Sequence, residues 1–468
     1  MYTTICNLDS VIKSANQIVV DNDRSLYDEY RKVTEKFVCE NKAAIGGKYG
    51  VYLLTGRPLG REFITCDIYT DNAFDFGKRL CNELYKVKSP HIDSTLTYMM
   101  TEMRHMEFTI YVDTRPMIKI YRLDKYRGVE LLNIINFVLC PGFYHSTDKA
   151  TISVLPEELL LIEIYRSLHS PNRNSQWEDA WYLQDLLFKN YEEKLQQRSQ
   201  RGKSGGSDDA MLTTPEGLNK LSKTILEILP VNALIIGDYA VKHHLHDNNK
   251  QINEKNKQRL RLQVIHESAQ SLLDLINSKI NIKLTLAEFK IPIPGDFQFI
   301  KNSFYANDGE NNIAVMDVFN ATSYELIPGS IKIKGDDMTT PGINYAGPIP
   351  TLRYRFVDMW VMILIAGMNK QLPNLTTLSN NILNLHHKIL QLAKTSPKDL
   401  FPQDNDLYIG VVLNERVIKK KILKESGVRS PPYYPYNSLN APGVESTTPT
   451  EAAPTPQTTD EKNKLFVV

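Results

Sequence analysis

The stretch that decides the fold is AAIGGKYGVYLLTG at residues 43–56, followed by REFITCDIYT at 61–70. The first combines a short apolar entry and a double glycine with apolar residues at helical spacing, which predicts a glycine turn that leads into a helix. The second is rich in β-branched and aromatic residues, as strands are. A further helix with an aspartate at its start is predicted at 71–87.

The elements on either side of this stretch complete the first half of the chain. Residues 26–42 carry apolar positions at helical spacing with charges between them, which predicts an amphipathic helix. Two β-branched and aromatic runs at 107–121 surround a turn at Asp113–Pro116, which predicts a β-hairpin. Residues 156–193 are predicted to be helical, with an interruption near 170–174.

The second half of the chain repeats this order of elements. An apolar run, a glycine and a helix are predicted at 231–246, and a strand and a helix follow at 259–268 and 269–280. Between the halves lies a stretch rich in Gly, Ser and charge, which is typical of a linker. We therefore predict an α+β protein of two tandem domains, each a mixed sheet with packed helices. Its parts are an N-terminal domain at 1–195, a linker at 196–212, a second domain at 213–438 and a disordered Pro/Thr-rich tail at 439–468.

The charge balance, the apolar runs and the cysteines of the chain limit which kinds of function it can have. The 55 basic and 54 acidic residues nearly cancel, so no overall charge favours nucleic acid or a membrane. The longest apolar run, Trp360–Met368, is too short to span a bilayer and is interpreted as a buried helix, so no membrane partner is expected. The cysteines are odd in number and scattered, and they include no C-x-x-C pair, which favours a reducing compartment and a cytosolic protein. They are Cys6, Cys39, Cys66, Cys81 and Cys140.

Several segments taken together resemble the poxvirus-type poly(A) polymerase catalytic subunits of large cytoplasmic DNA viruses, in a highly diverged branch. In the first half these are the helix, Gly-Gly turn and helix at 30–56 and the acidic strand with its helix at 63–85. In the second half NALIIGDYAVKHHL, RLQVIHESAQSLLDLI, IPIPGDFQFI, PTLRYRFVDMWVMILIAG and SPPYYPYNSL resemble successive segments of the family. The resemblance implies two tandem nucleotidyltransferase-like domains and adenylyl transfer to RNA 3′ ends with ATP and Mg²⁺ or Mn²⁺.

The resemblance assigns the candidate site residue by residue. Gly46 and Gly47 match the nucleotide-binding turn, where backbone N–H groups and a helix dipole hold a triphosphate. The Asp-x-Asp pair of metal ligands falls on Thr65 and Asp67, so Asp67 alone is retained as catalytic and metal ligand. The third carboxylate position falls on Lys119, whose ammonium would repel a metal ion. The implied site is degenerate, and of the other nearby acids Glu62, Asp71, Glu107 and Asp113 none is required by the sequence to replace the missing ligands.

The sequence leaves three functions open. The chain is a poly(A) polymerase in mRNA 3′-end polyadenylation, whether active or a non-catalytic subunit beside a catalytic paralogue; an RNA- or nucleotide-binding pseudoenzyme; or a structural or virion-packaged protein. The expected ligands are RNA and ATP, and the expected assembly is a homodimer or a heterodimer with a catalytic paralogue. The expected location is the virus factory in the host cytoplasm, or the virion. Each site residue also has an ordinary reading: a plain helix-entry turn for the glycines, a helix-capping carboxylate for Asp67 and a solvated strand residue for Lys119. The histidines His243, His244 and His246 are expected to face solvent.

Overall fold

The computed structural model describes a large part of the chain in sixteen segments. They are residues 27–56, 65–90, 92–103, 107–123, 125–138, 142–145, 151–169, 176–201, 216–245, 262–293, 300–307, 312–320, 327–332, 343–400, 408–409 and 432–435. All structural statements below concern these residues.

The first domain consists of a mixed sheet and six helices. In chain order these are α1 (27–40), β1 (Ala44–Gly46), α2 (Gly47–Thr55), β2 (Cys66–Thr70), α3 (Ala73–Tyr85), β3 (Tyr98–Met103), β4 (Glu107–Val112), β5 (Arg115–Arg122), β6 (Lys125–Tyr126), β7 (Val129–Glu130), α4 (Leu131–Val138), β8 (Gly142–His145), β9 (Thr151–Val154), α5 (Glu157–His169) and α6 (Trp177–Arg201). The predicted hairpin is β4–β5, and its turn is at Asp113 and Thr114, which both have positive φ. Strands β6 and β7 form a separate small ribbon.

The second domain has the same kind of composition. Its elements are α7 (Glu216–Ile228), β10 (Leu234–Ile236), α8 (Gly237–Leu245), β11 (Leu262–His266), α9 (Ala269–Asn277), β12 (Leu284–Lys290), β13 (Ile300–Asn307), β14 (Asn312–Asn320), β15 (Ile327–Lys332), β16 (Ile343–Ala346), α10 (Pro348–Met368), α11 (Thr376–Thr395) and β17 (Tyr408–Ile409).

The two sheets share one topology. The first runs β3-β4-β5-β2-β1-β9-β8 and the second β12-β13-β14-β11-β10-β16-β15-β17. Corresponding pairs also share direction: β1–β2 and β10–β11 are antiparallel, whereas β2–β5 and β11–β14 are parallel. The repeated element order in the sequence therefore reflects a repeated fold. The prediction of an α+β protein with two mixed sheets is confirmed.

A layer of long helices joins the domains. Helices α5 and α6 of the first domain pack against α10 and α11 of the second in one apolar core. Trp360, Ile363 and Leu364 of α10 are fully buried there, so the segment Trp360–Met368 is helical as predicted, whereas its other residues are half-buried. Within this layer the Tyr165 hydroxyl lies 3.1 Å from His386 Nδ1, and burial lowers the pKa of that histidine to about 3. None of the helices in the described segments is long and apolar enough to cross a membrane.

The first residues of the predicted linker belong to a helix. Helix α6 continues to Arg201, so residues 196–201 are helical, and the rest of the linker lies outside the described residues. A partly buried ion pair holds this part of the helix, because Arg198 Nη1 donates to Glu158 Oε1 of α5 at 2.8 Å. The Tyr191 hydroxyl donates to the same carboxylate oxygen at 2.8 Å, which anchors the last turns of α6 to α5.

The segment 432–435 packs against the first domain, although the sequence assigned it to the second. Tyr433 exchanges two backbone hydrogen bonds of 2.9 Å with Met99 of β3, the outermost strand of the first sheet. Its hydroxyl also donates to Asn82 Oδ1 on α3 at 3.0 Å. An edge strand offers unpaired backbone groups, and this segment satisfies those of Met99. The tail prediction at 439–468 concerns residues outside the described segments.

Two truncations are expected to distinguish the contribution of the segment 432–435 to stability from that of the tail at 440–468. Removing residues 440–468 should leave the melting temperature nearly unchanged, because the composition of this tail provides too little apolar area to offset chain entropy. Removing residues 432–468 should lower the melting temperature by several degrees, since the contacts of Tyr433 are lost as well. Calorimetry of the full chain and both truncations measures this, and equal melting temperatures for the two truncations would contradict the role of the segment 432–435.

Candidate nucleotide and metal site

The Gly46–Gly47 turn connects β1 to α2 at the edge of the interdomain layer. Gly47 has φ +59, and a Cβ placed on it would lie 2.0 Å from Asp67 Oδ2. Only glycine fits this position, because both the left-handed backbone and the adjacent carboxylate exclude a side chain. The N-terminus of α2 has no side-chain cap and no acidic residue in its first turn. The turn has the geometry that the sequence predicted, and no bound nucleotide is needed to explain its glycines.

Asp67 and Lys119 lie opposite each other on adjacent strands. In the antiparallel pair β1–β2, Gly46 is the partner of Asp67, and in the parallel pair β2–β5, Lys119 is the partner of Asp67. Thr65 directly precedes β2, two residues before Asp67. The structure thus brings together the turn, the retained carboxylate and the lysine, as the sequence alignment predicted. Their functional roles remain predictions.

The environment of Asp67 disfavours its negative charge. Burial raises the pKa of Asp67 to about 7; the positive charge of Lys119 opposes the rise, and the charges of Glu163 and Glu107 add to it. Its Oδ1 atom is buried without a hydrogen-bond partner.

The residues present do not fit a pair of divalent metals. In the segments that the structure describes, no three His, Cys, Asp or Glu side chains are placed to hold a metal ion. Glu107 on β4 and Glu163 on α5 are close enough to influence the charge of Asp67, yet they do not form such a group with it. Glu62 lies outside the described residues. We therefore derive no catalytic step through Mg²⁺ or Mn²⁺.

The second domain contains a matching constellation that the sequence analysis missed. Gly237 between β10 and α8 has φ +71, and a Cβ on it would lie 2.1 Å from Gln263 Oε1. Gln263 pairs with Ile236 on β10 and with Asp317 on β14, which are the register positions of Gly46 and Lys119 in the first domain. Each domain thus has a positive-φ glycine, a polar residue on the next strand and a charged residue on the strand beyond.

An arginine from α10 fills the site in the second domain. Arg355 Nη1 donates to Asp238 Oδ1 at 2.8 Å, and Arg355 Nη2 binds Gln263 Oε1 and lies 2.5 Å from Asp358 Oδ2. The Gln263 amide donates to Asp358 Oδ1 at 2.9 Å. Asp317 is held separately by Ser303, at 2.6 Å, and by Lys301. Side chains of the protein itself therefore occupy the space beside Gly237.

The expectation for the histidines was wrong in part. His244 Nε2 lies 2.8 Å from the Ala346 carbonyl, and burial lowers the pKa of His244 to about 4. The His243 ring stacks on Tyr345 at 4.3 Å. Both residues are half-buried and contact β16, because α8 lies over that strand. His246 lies outside the described residues.

Comparison with known proteins extends this description. No protein-family model matches the chain. In sequence, the chain is 24% identical over 450 residues to the uncharacterized protein K421R of African swine fever virus, isolate Tick/Malawi/Lil 20-1/1983, covering 93% of this chain and 98% of the relative. It is 23% identical over 445 residues to the K421R proteins of isolates Tick/South Africa/Pretoriuskop Pr4/1996 and Warthog/Namibia/Wart80/1980, with the same coverage.

The structural comparison identifies the fold. The crystal structure of the Megavirus polyadenylate synthase is similar with a TM-score of 0.63 and 15% sequence identity, covering 93% of this chain and 85% of that one. The likeness is to a giant-virus protein, and the narrower expectation of the poxvirus-type branch has no support among these proteins. The chain therefore has the two-domain fold of a giant-virus polyadenylate synthase.

Proposed function

We propose that this chain is a viral protein of mRNA 3′-end formation that keeps a poly(A) polymerase-like fold without metal-dependent adenylyl transfer. The viral relatives and the fold of the Megavirus polyadenylate synthase support the first part of the proposal. Such a protein would hold RNA or ATP in the host cytoplasm as a non-catalytic subunit. A catalytic paralogue or a second copy of this chain would be its partner.

The pairing of Asp67 with Lys119 carries the second part of the proposal. Two-metal transfer requires several carboxylates that stabilise the attacking hydroxyl and the leaving pyrophosphate through bound cations. Here Asp67 stands opposite a lysine, and Thr65 offers a hydroxyl in place of a second carboxylate. One carboxylate facing an ammonium does not supply the negative charge that would attract two divalent metal ions.

A restored-ligand experiment tests this reading of the site. The full chain should show no Mn²⁺ binding that depends on Asp67, whereas the double variant Thr65→Asp/Lys119→Asp should bind Mn²⁺, because it places three carboxylates around the Gly46–Gly47 turn. Electron paramagnetic resonance of free and bound Mn²⁺ measures both. The matched control is the double variant Thr65→Asn/Lys119→Gln, which has similar side-chain size without the charge.

The outcomes separate the alternatives. Binding of Mn²⁺ by the wild-type chain that is lost in Asp67→Asn would contradict the proposal and favour an active enzyme. A wild-type chain that binds neither metal nor RNA would favour the structural or virion-packaged alternative.

A further inference from the structure

A row of tyrosine rings lies at the outer edge of the first sheet. Tyr98 on β3 is directly opposite Tyr111 on β4, and their rings stack with centroids 5.0 Å apart and planes 6° apart. Tyr434 follows Tyr433, the partner of Met99, and its ring centroid is 5.8 Å from that of Tyr98. We call these three residues the tyrosine row.

The tyrosine row is accessible. Tyr434 is 52% exposed, and Tyr98 and Tyr111 are half-buried. The chain thus keeps three aromatic rings together at its surface, and the outermost of them has much of its area open to solvent. Tyrosine is enriched at interfaces because its ring offers an apolar face and its hydroxyl remains in water.

The tyrosine row lies on the sheet face of the candidate site. Side chains alternate between the faces of β4, so Thr109 lies on the same face as Tyr111, about 6.8 Å away along the strand. The register with β5 shifts between Ile110 and Tyr111, so Lys119 is placed by its own partner Thr109 and not by Tyr111. Thr109 pairs with Lys119, and Lys119 pairs with Asp67. One face of the sheet therefore carries, in order, the partly exposed rings, the buried Thr109, the half-buried Lys119, and Asp67 beside the Gly46–Gly47 turn.

We propose that the tyrosine row is a stacking platform for the bases of single-stranded RNA, with Lys119 placed to contact its phosphates. Aromatic rings stack on any nucleobase, and a nearby cation pairs with the backbone, which is the chemistry of single-strand binding. This inference rests on the proposed function, because the fold alone does not identify the ligand. The chain's own Tyr434 supplies one of the rings, so the segment 432–435 builds the platform as well as covering the edge of β3.

Binding of fluorescent single-stranded oligo(A) and oligo(U) to the full chain, measured by anisotropy in EDTA, tests the platform. Tyr111→Ala and Tyr434→Ala should each weaken binding by about fivefold to a hundredfold, the range for loss of one stacking ring. Tyr111→Phe and Tyr434→Phe should bind as the wild type does, because the ring is kept. Tyr182→Ala removes a tyrosine of α6 that is 37% exposed and should change nothing. Duplex RNA should compete weakly, since its bases are already stacked.

Each other outcome overturns the platform. Wild-type binding that the alanine variants retain would place RNA elsewhere and leave the proposed function standing. Failure of the phenylalanine variants to restore binding would show that the hydroxyls, and not stacking, are used. A wild-type chain that binds no RNA would overturn the platform and the RNA-handling role together. A shift from dimer to monomer in Tyr434→Ala, measured by sedimentation, would assign the rings to a contact between two copies.

Discussion

Replacing Arg355 by methionine is expected to destabilise the second domain by about 3–5 kcal/mol, the cost of leaving a buried charge without its partner. The Arg355 side chain is 3% exposed and binds Asp238, Gln263 and Asp358 at once. Burial raises the pKa of Asp358, and the guanidinium opposes that rise. Without the arginine, two carboxylates and an amide oxygen would lose their common donor.

Urea denaturation followed by tryptophan fluorescence measures this effect, because the buried Trp360 lies on the same helix as Arg355. The matched control is Lys189→Met, which breaks the exposed pair with Asp185 on α6 and should cost less than about 1 kcal/mol. An Arg355→Met variant as stable as that control would show that the network does not hold α10 to the second sheet.

Replacing Asp67 by asparagine is expected to stabilise the chain, and the gain should grow with pH. An unfolded aspartate ionises near a pKa of about 3.9, whereas burial raises the pKa of Asp67 in the folded chain to about 7. Below both values the carboxyl is neutral in both states and has no ionisation cost. Between them the unfolded state is ionised and the folded state is not, so the wild type loses about 1.4 kcal/mol per pH unit. Above the folded pKa the loss is constant.

The free energy of unfolding of wild type and Asp67→Asn, compared between about pH 5 and about pH 8, measures this difference. A total gain of a few kcal/mol is expected at the alkaline end. Adding Lys119→Met to both proteins should increase the gain, because the lysine charge opposes the rise of the Asp67 pKa. If Asp67→Asn raised the free energy of unfolding equally at both pH values, burial would not raise the pKa of Asp67 in the folded chain.

Local sequence patterns predicted much of the fold, whereas the residues of the first site were assigned by the family resemblance. The glycine turn at 46–47 and the hairpin at 107–121 follow from residue types within short windows, and they fix the strands that carry Asp67 and Lys119. The repeated order of elements predicted two similar domains, since the order survives even where residue identity does not.

Long-range contacts could not be predicted in the same way. The site residues Gln263 and Arg355 are 92 positions apart, and no local pattern signals that α10 places its arginine beside Gly237. Glu163 affects Asp67 from a helix far along the chain. The segment 432–435 carries a Tyr/Pro pattern that does not indicate its partner, so its contact with Met99 could not be predicted. Alignment of Gly237 with Gly47 by element order was the one available signal for the second constellation.

Incorporation of labelled ATP into a single-stranded RNA primer, with Mg²⁺ or Mn²⁺ and the purified full chain, shows whether the chain transfers adenylate. We expect no primer extension by the wild type, because Asp67 is paired with Lys119 and no group of metal ligands surrounds it in the described residues. The Asp67→Asn variant should likewise show no primer extension. Robust extension by the wild type that Asp67→Asn abolishes would contradict the account and make the chain an active polynucleotide adenylyltransferase.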